Sequence, residues 1–171
     1  MAVGLPGRKA RAAENTKQPW HGQNEPVAPH RSRYHAASSN PLFTMAHIAT
    51  DRFYLPSHEW HKAEGDLVVV GVSQIAVDEL TDVTYVDVKV KSGKIEAGKV
   101  FGDIESVKAT SELYCGIAGE VVAVNAAVIA DPSLVNADCY EKAWIIKVKP
   151  ASADWQKNLL SAEAYKAKAA H

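Results

Sequence analysis

The sequence predicts a mainly β fold with one short internal helix and one C-terminal helix. Three features carry this expectation. Runs rich in Val, Ile and aromatic side chains recur from Leu67 to Lys149 and are separated by turn-forming residues. Only two segments have the capping or the spacing of a helix. With 171 residues and a hydrophobic content of 47%, the chain has apolar material for one core.

Residues 1–44 precede the patterned part. They hold five of the eight prolines (Pro6, Pro19, Pro26, Pro29, Pro41) and six Lys or Arg against Glu14 and Glu25, with no apolar periodicity. Such a segment is expected to be disordered. Its basic charge fits a mitochondrial presequence, yet the prolines break an amphipathic helix and the two glutamates oppose that targeting class. Met45 stands just before the first patterned residues. The preferred expectation is therefore a start codon placed too far upstream, with residues 45–171 forming the domain.

Within the domain, "LVVVGV" (Leu67–Val72) is a strand by composition. "SQIAVDELTD" (Ser73–Asp82) follows as a helix, with Ser73 as its N-cap. "VTYVDVKV" (Val83–Val90) alternates, and the set Thr84, Val86, Val88 and Val90 is expected to face inward. "KVFGDIESV" (Lys99–Val107), "EVVAVN" (Glu120–Asn125) and "AWIIKVK" (Ala143–Lys149) read as further strands. From Asp154 to Ala169, Trp155, Leu159 and Ala162 recur at i, i+4 and i+7, Asp154 opens the segment, and Lys166 and Lys168 close it in accord with the helix dipole. This helix is expected to dock through Trp155 and Leu159. "GDLVVVGV" (Gly65–Val72) is echoed by "GEVVAVNA" (Gly119–Ala126), which suggests two similar half-sandwiches joined by a hairpin near Lys108.

Charge narrows the function. Residues 45–171 carry 13 Lys or Arg against 18 Asp or Glu, so the domain is acidic and nucleic acid is not an expected partner. Cys115 and Cys139 match neither a metal-ligand spacing nor a disulfide framework, which points to a reducing compartment. No run of 18 apolar residues and no apolar signal core occur in the sequence, so no membrane association is expected. The expected protein is soluble and cytoplasmic, or mitochondrial if the basic N-terminus is a presequence.

One lysine stands apart. In "GDIESVKATSELY" (Gly102–Tyr114), Ile104 and Val107 are expected to anchor in strands, while Ser106, Ala109, Thr110 and Ser111 are too small or polar to bury. Lys108 should then project from an exposed turn, a lone cation among Asp103, Glu105 and Glu112. Its surroundings suit presentation to a modifying enzyme better than an ordinary solvated lysine.

"IESVKATSELY" followed by "GEVVAVN", the earlier "YLPSHEW" and the later "LVNADCYEKAWIIKVKP" resemble, in order and spacing, the glycine cleavage system H-protein family over about Phe53 to Pro150. The resemblance implies a barrel-sandwich hybrid of two antiparallel sheets, of the lipoyl or biotinyl carrier type, with lipoic acid amide-linked to Lys108 at a hairpin tip. Acylation would remove the lysine charge and create a long flexible arm. It further implies a non-catalytic, monomeric carrier that takes the methylamine group of glycine from a pyridoxal-phosphate decarboxylase (P-protein) to an aminomethyltransferase (T-protein). Electrons would pass to dihydrolipoyl dehydrogenase (L-protein), and a lipoate ligase or lipoyltransferase would load the arm.

A methylamine-loaded arm bears an ammonium that calls for a shielded, anionic cleft. Glu59, beside Ser57 in "PSHEW", is the candidate for it and Glu112 the second; the competing expectation makes Glu59 an ordinary exposed acid next to a packing Trp60. His58 and His61 lack the helical i, i+4 spacing of a zinc site and are expected to be structural or solvated. Cys115 has no histidine near it in sequence and is expected to be a small apolar filler. Two departures from the family pattern stand out: Gly116 where proline is common, implying a looser strand entry, and Ala143 where glycine commonly precedes the tryptophan, implying a different turn. Two other functions stay open, a biotinyl or lipoyl carrier domain of another complex and an H-like protein that relays lipoate. The Met-Lys-Met and Asp-Lys-Ala neighbours of the other carrier domains are absent around Lys108.

Overall fold

The computed structural model describes residues 47–169, so the extension read at residues 1–44 lies outside the described residues, as does Met45. Nine strands appear among them: β1 (Phe53–Tyr54), β2 (Glu59–Glu64), β3 (Leu67–Val72), β4 (Val83–Val88), β5 (Gly93–Ile95), β6 (Lys99–Ser106), β7 (Thr110–Cys115), β8 (Gly119–Val124) and β9 (Ile146–Pro150). They form a six-stranded sheet in the order β1-β2-β3-β9-β8-β5 and a three-stranded sheet in the order β4-β6-β7. Every pairing is antiparallel. The fold is thus mainly β with two antiparallel sheets, as the sequence predicts.

Strand β3 explains why the chain needs two cores. Val68, Val70 and Val72 enter the large core shared with Phe101, Ile104, Leu113 and Ile146. Val69 faces the other way, into a smaller cluster with Tyr54, Trp60, Ala162 and Tyr165. A strand covered on both faces reads as a continuous apolar run, and "LVVVGV" does. The two echoing segments become β3 and β8, and both lie beside β9 in the one six-stranded sheet, so the echo does not divide the molecule into half-sandwiches.

Helix α1 (Gln74–Leu80) is capped as expected, the Ser73 hydroxyl oxygen accepting from the Ala76 amide. Its apolar residues Val77 and Leu80 close one side of the large core. Two shorter helices, α2 (Ala126–Ala130) and α3 (Leu134–Ala137), follow β8. The Asn136 side chain in α3 accepts from the Val83 amide at 2.9 Å and donates to the Thr81 carbonyl, fixing the link between α1 and β4.

Two expectations fail for reasons visible in the backbone. A bulge between Val83 and Tyr85 shifts the pleat of β4, so Val83 and Val86 both turn inward and Thr84 is exposed. Val86 and Val88 are buried as expected and Val90 is half-buried. The C-terminal segment is not one helix. It forms a single 3-10 turn over Trp155–Asn158, then extends so that Leu160 bridges Tyr54, and only then enters α4 (Ala162–Ala169). The extended bridge satisfies backbone groups that a continuous helix would need, and it wins locally. Trp155 and Leu159 do pack on the large core, but α4 itself docks through Ala162 and Tyr165.

Gly102 lies opposite Val88 in the β6 ladder, where an added Cβ would sit 2.2 Å from the Asp87 carbonyl oxygen. No other residue fits that close approach. Gly116, the position expected to loosen a strand entry, is instead crowded: its amide donates to His61 Nε2 at 2.9 Å, and a Cβ would come within 2.5 Å of Leu159 Cδ2. Proline there would remove the donor that His61 accepts. Ala143 is buried, and its amide closes the preceding loop on the Asp138 carbonyl at 3.0 Å.

His61 is fully buried and uses Nε2 as an acceptor, so the ring is neutral with its proton on Nδ1. Burial lowers its pKa from 6.5 to about 3. The folded state therefore binds this proton less readily than the unfolded chain. Stability from this group is present above pH 6.5 and is lost as pH falls toward 3. Urea unfolding of the wild type is expected to lose stability relative to His61→Gln, which keeps an acceptor, at about 1.4 kcal/mol per pH unit below the unfolded value. Parallel pH dependence in the two proteins contradicts this.

Candidate functional site

Strands β6 and β7 form a hairpin whose turn holds Val107 and Lys108. Ser106 builds it: its amide donates to the Ala109 carbonyl at 2.8 Å, and its hydroxyl oxygen accepts from the amides of Lys108 at 3.2 Å and Ala109 at 3.1 Å. A serine that gathers two backbone donors stiffens a turn without glycine. Lys108 is exposed at the tip, and among the described residues its side chain has no ion pair or hydrogen bond. Val107, expected to anchor in a strand, is 72% exposed because the strand ends at Ser106. Nearby Asp103 is already paired with Lys89 at 2.6 Å.

A cleft of about 230 Å³ starts beside this turn, lined at that end by Ala109, Ser111 and Glu112. Ala76, Glu79 and Leu80 of α1 form one wall, and Ser57, His58 and Glu59 the corner leading into β2. Ser57, Glu59 and Glu112 therefore face one cavity. Glu112 is exposed and accepts from the Tyr114 hydroxyl at 2.6 Å.

Glu59 is not an ordinary exposed acid. It is 1% exposed; Oε2 accepts from the Ser57 hydroxyl at 2.6 Å and Oε1 from the Tyr114 amide at 2.8 Å. Burial raises its pKa above the usual glutamate value, and the two hydrogen bonds only partly oppose this. A buried carboxyl attracts a cation entering the cleft more strongly than one in water does. Its neighbour Trp60 points into the smaller core, donating from the indole nitrogen to the Val72 carbonyl at 2.9 Å.

The residue pattern hid several contributors. His58 adopts a left-handed φ of 81° and places Nδ1 2.6 Å from the Tyr165 hydroxyl. That hydroxyl lies 2.7 Å from Ser73 Oγ, so one side chain of α4 contacts both the cleft-lining His58 and the cap of α1. His58 and His61 have separate partners, Tyr165 and Gly116. Cys115 is fully buried, donates to the Ile117 carbonyl at 3.3 Å, and its thiol is pushed up to about 11 by burial. It is core filler, as the sequence predicts.

Two antiparallel sheets presenting a lysine at a hairpin tip have the architecture expected of a lipoyl carrier domain. The family model for the glycine cleavage H-protein matches residues 52–171. A glycine cleavage system H protein from Bacteroides fragilis is 47% identical over 114 residues, which cover 67% of this chain and 90% of that protein. One from Bordetella pertussis is 47% identical over 121 residues, covering 70% and 96%. The crystal structure of a glycine cleavage system H protein from Mycobacterium marinum shares the fold with a TM-score of 0.66 at 32% identity, covering 72% of this chain and all of that one. The chain belongs to the glycine cleavage H-protein family and has that family's role, the lipoyl carrier of the glycine cleavage system.

Glu59 also makes a prediction about the unmodified protein. Because its folded pKa is raised, its stability contribution is full below the ordinary value of 4.5 and declines as pH rises through the folded value. Glu59→Gln retains an acceptor for the Tyr114 amide and carries no charge to desolvate. Its thermal midpoint near neutral pH should equal or exceed that of the wild type, and the gap should close below pH 4.5. A variant clearly less stable at neutral pH would show the carboxylate to be a net stabiliser.

Proposed function

We propose that Lys108 is the site of amide attachment of lipoic acid, and that Ser57, Glu59 and Glu112 receive the loaded end of the arm in the cleft. One observation carries this: an exposed lysine, with no ion pair among the described residues, sits on a turn whose next residue, Ala109, lines the same cavity as the buried Glu59 carboxyl. When attached, the lipoyl group supplies a dithiolane that takes up the methylamine group of glycine and later gives up electrons. Everything else falls to the chain. The Ser106 turn presents the Lys108 amine to the modifying enzyme, and the exposed strand ends leave it free to swing. The wall made by Ala76, Leu80 and Ile104 excludes water, and Glu59 offers a carboxyl to a cationic end group.

The protein on this account is a monomeric, non-catalytic shuttle serving the glycine decarboxylase, the aminomethyltransferase and dihydrolipoyl dehydrogenase in turn, after loading by a lipoate ligase or lipoyltransferase. A cytoplasmic setting agrees with two buried free thiols that need no oxidising compartment. No helix among the described residues is long and apolar enough to cross a membrane.

Intact mass after coexpression with a lipoate ligase tests the assignment, since lipoyl, biotinyl and unmodified chains differ in mass. Lys108→Arg should fold with a wild-type circular dichroism spectrum, gain no lipoyl mass and lose glycine–bicarbonate exchange, because a guanidinium is not a substrate for acylation. Exchange retained in this variant rules out Lys108 as the attachment point. The carrier domain is proposed to be residues 45–171, so a chain begun at Met45 should keep its thermal midpoint and its lipoylation; a clear drop in either places part of the extension in the folded unit.

A further inference from the structure

We infer that the Tyr165 hydroxyl is a positioning group for the cleft, holding the Ser57–Glu59 corner and the start of α1 in one fixed relation; this deepens, and rests on, the carrier role proposed for Lys108 and Glu59. Tyr165 is 1% exposed, and its oxygen lies 2.6 Å from His58 Nδ1 and 2.7 Å from Ser73 Oγ. One proton arrangement satisfies every group: the Ser73 hydroxyl donates to Tyr165, Tyr165 donates to His58 Nδ1, and the Ser73 oxygen accepts from the Ala76 amide.

Each end of this chain belongs to a different wall. His58 sits between Ser57 and Glu59, and its left-handed backbone persists only where surrounding contacts hold it. Ser73 caps α1, whose Ala76, Glu79 and Leu80 face the cavity. The main chain adds a second tie at the same place, the Ser73 amide donating to the His58 carbonyl at 2.8 Å. Without the hydroxyl the His58 ring loses its partner, and the corner that aims Glu59 is free to relax toward solvent.

Packing alone is separable from this role. The Tyr165 ring stacks on Tyr54 with centroids 4.3 Å apart and planes 5° from parallel, a contact that Tyr165→Phe preserves. Tyr54→Phe is the matched control, since it removes a buried hydroxyl that donates to the Ala49 carbonyl at 2.7 Å and makes no hydrogen bond to His58 or Ser73.

The unloaded protein carries the test. In Tyr165→Phe the Ser73 amide should exchange about fivefold to tenfold faster, the size expected for losing one hydrogen bond. The His58 Nδ1 nitrogen resonance should shift, and the Glu59 carboxyl, followed by carbon NMR, should titrate nearer the ordinary glutamate value as water reaches it. Tyr54→Phe should lower the thermal midpoint and leave all three readouts at wild-type values. In loaded protein, ammonia release should be faster in Tyr165→Phe alone. Wild-type Ser73 exchange and Glu59 titration in Tyr165→Phe, or equal changes in Tyr54→Phe, overturn the assignment. If Tyr165→Phe does not fold, Ser73→Ala breaks the same chain from its other end and must shift Glu59 likewise. Failure of the carrier role would show separately, as wild-type chain that gains no lipoyl mass.

Discussion

The structure depends on how the free edge of β7 is satisfied. As the outer strand of the three-stranded sheet, β7 has no further strand to accept from the Tyr114 amide or from that of Gly116, the residue just past its end. Two side chains of β2 do so instead: Glu59 Oε1 takes the Tyr114 amide and His61 Nε2 takes the Gly116 amide. Leaving either donor unpaired in a buried setting costs roughly 1–3 kcal/mol. The spacing is dictated by geometry, because residues two apart on a strand share a face on both β2 and β7. This seam joins the two sheets and fixes the lysine-bearing hairpin relative to the corner of the cleft.

The seam also explains a charge in a poor place for one. An apolar residue at position 59 would avoid desolvating a carboxylate but would orphan the Tyr114 amide, whereas glutamine would serve that amide without charge. The cost of ionising Glu59 therefore exceeds what sheet joining requires, and this excess supports the receiving role proposed for it. Freedom and rigidity are divided accordingly. Lys108 stands clear on a turn held by one serine, while Glu59, the carboxyl proposed to meet its cargo, is buried and hydrogen-bonded through both oxygens.

Much of this was legible in the chain. Lys108 stood out because small and acidic residues surround it, and those residues also carry the family resemblance. The longer strands were legible because their apolar runs are strong, and Ser73 because a cap has a local signature. Strand β2 was not, since "EWHKAE" turns Glu59 and His61 inward and leaves little apolar alternation to read. β1, at two residues, and β5, at three, are too short to have a period. Alternation alone puts Thr84 on the wrong face because a bulge resets the pleat, and a bulge has no signature in a run of β-formers. The tail kept helical spacing across a break made by a long-range partner, Tyr54, which no local window contains.

Tyr165 shows the same limit from the functional side. Its sequence surroundings, "AEAYKAKA", make a short helix with little apolar surface of its own, and a helix of that length is marginal without tertiary support. The support is specific: a backbone bridge from Leu160 to Tyr54, the buried Ala162, and the stacked ring of Tyr165. Each lies near the first turn of α4, so the helix is held at its start and its later residues are largely exposed. A segment secured at one end by aromatic stacking stays in place without a broad apolar stripe, and its hydroxyl is delivered to His58 and Ser73 at fixed distances. The C-terminal segment thus acts on the cleft through one oxygen atom, a contact that depends on three elements distant in sequence and that no periodicity could announce.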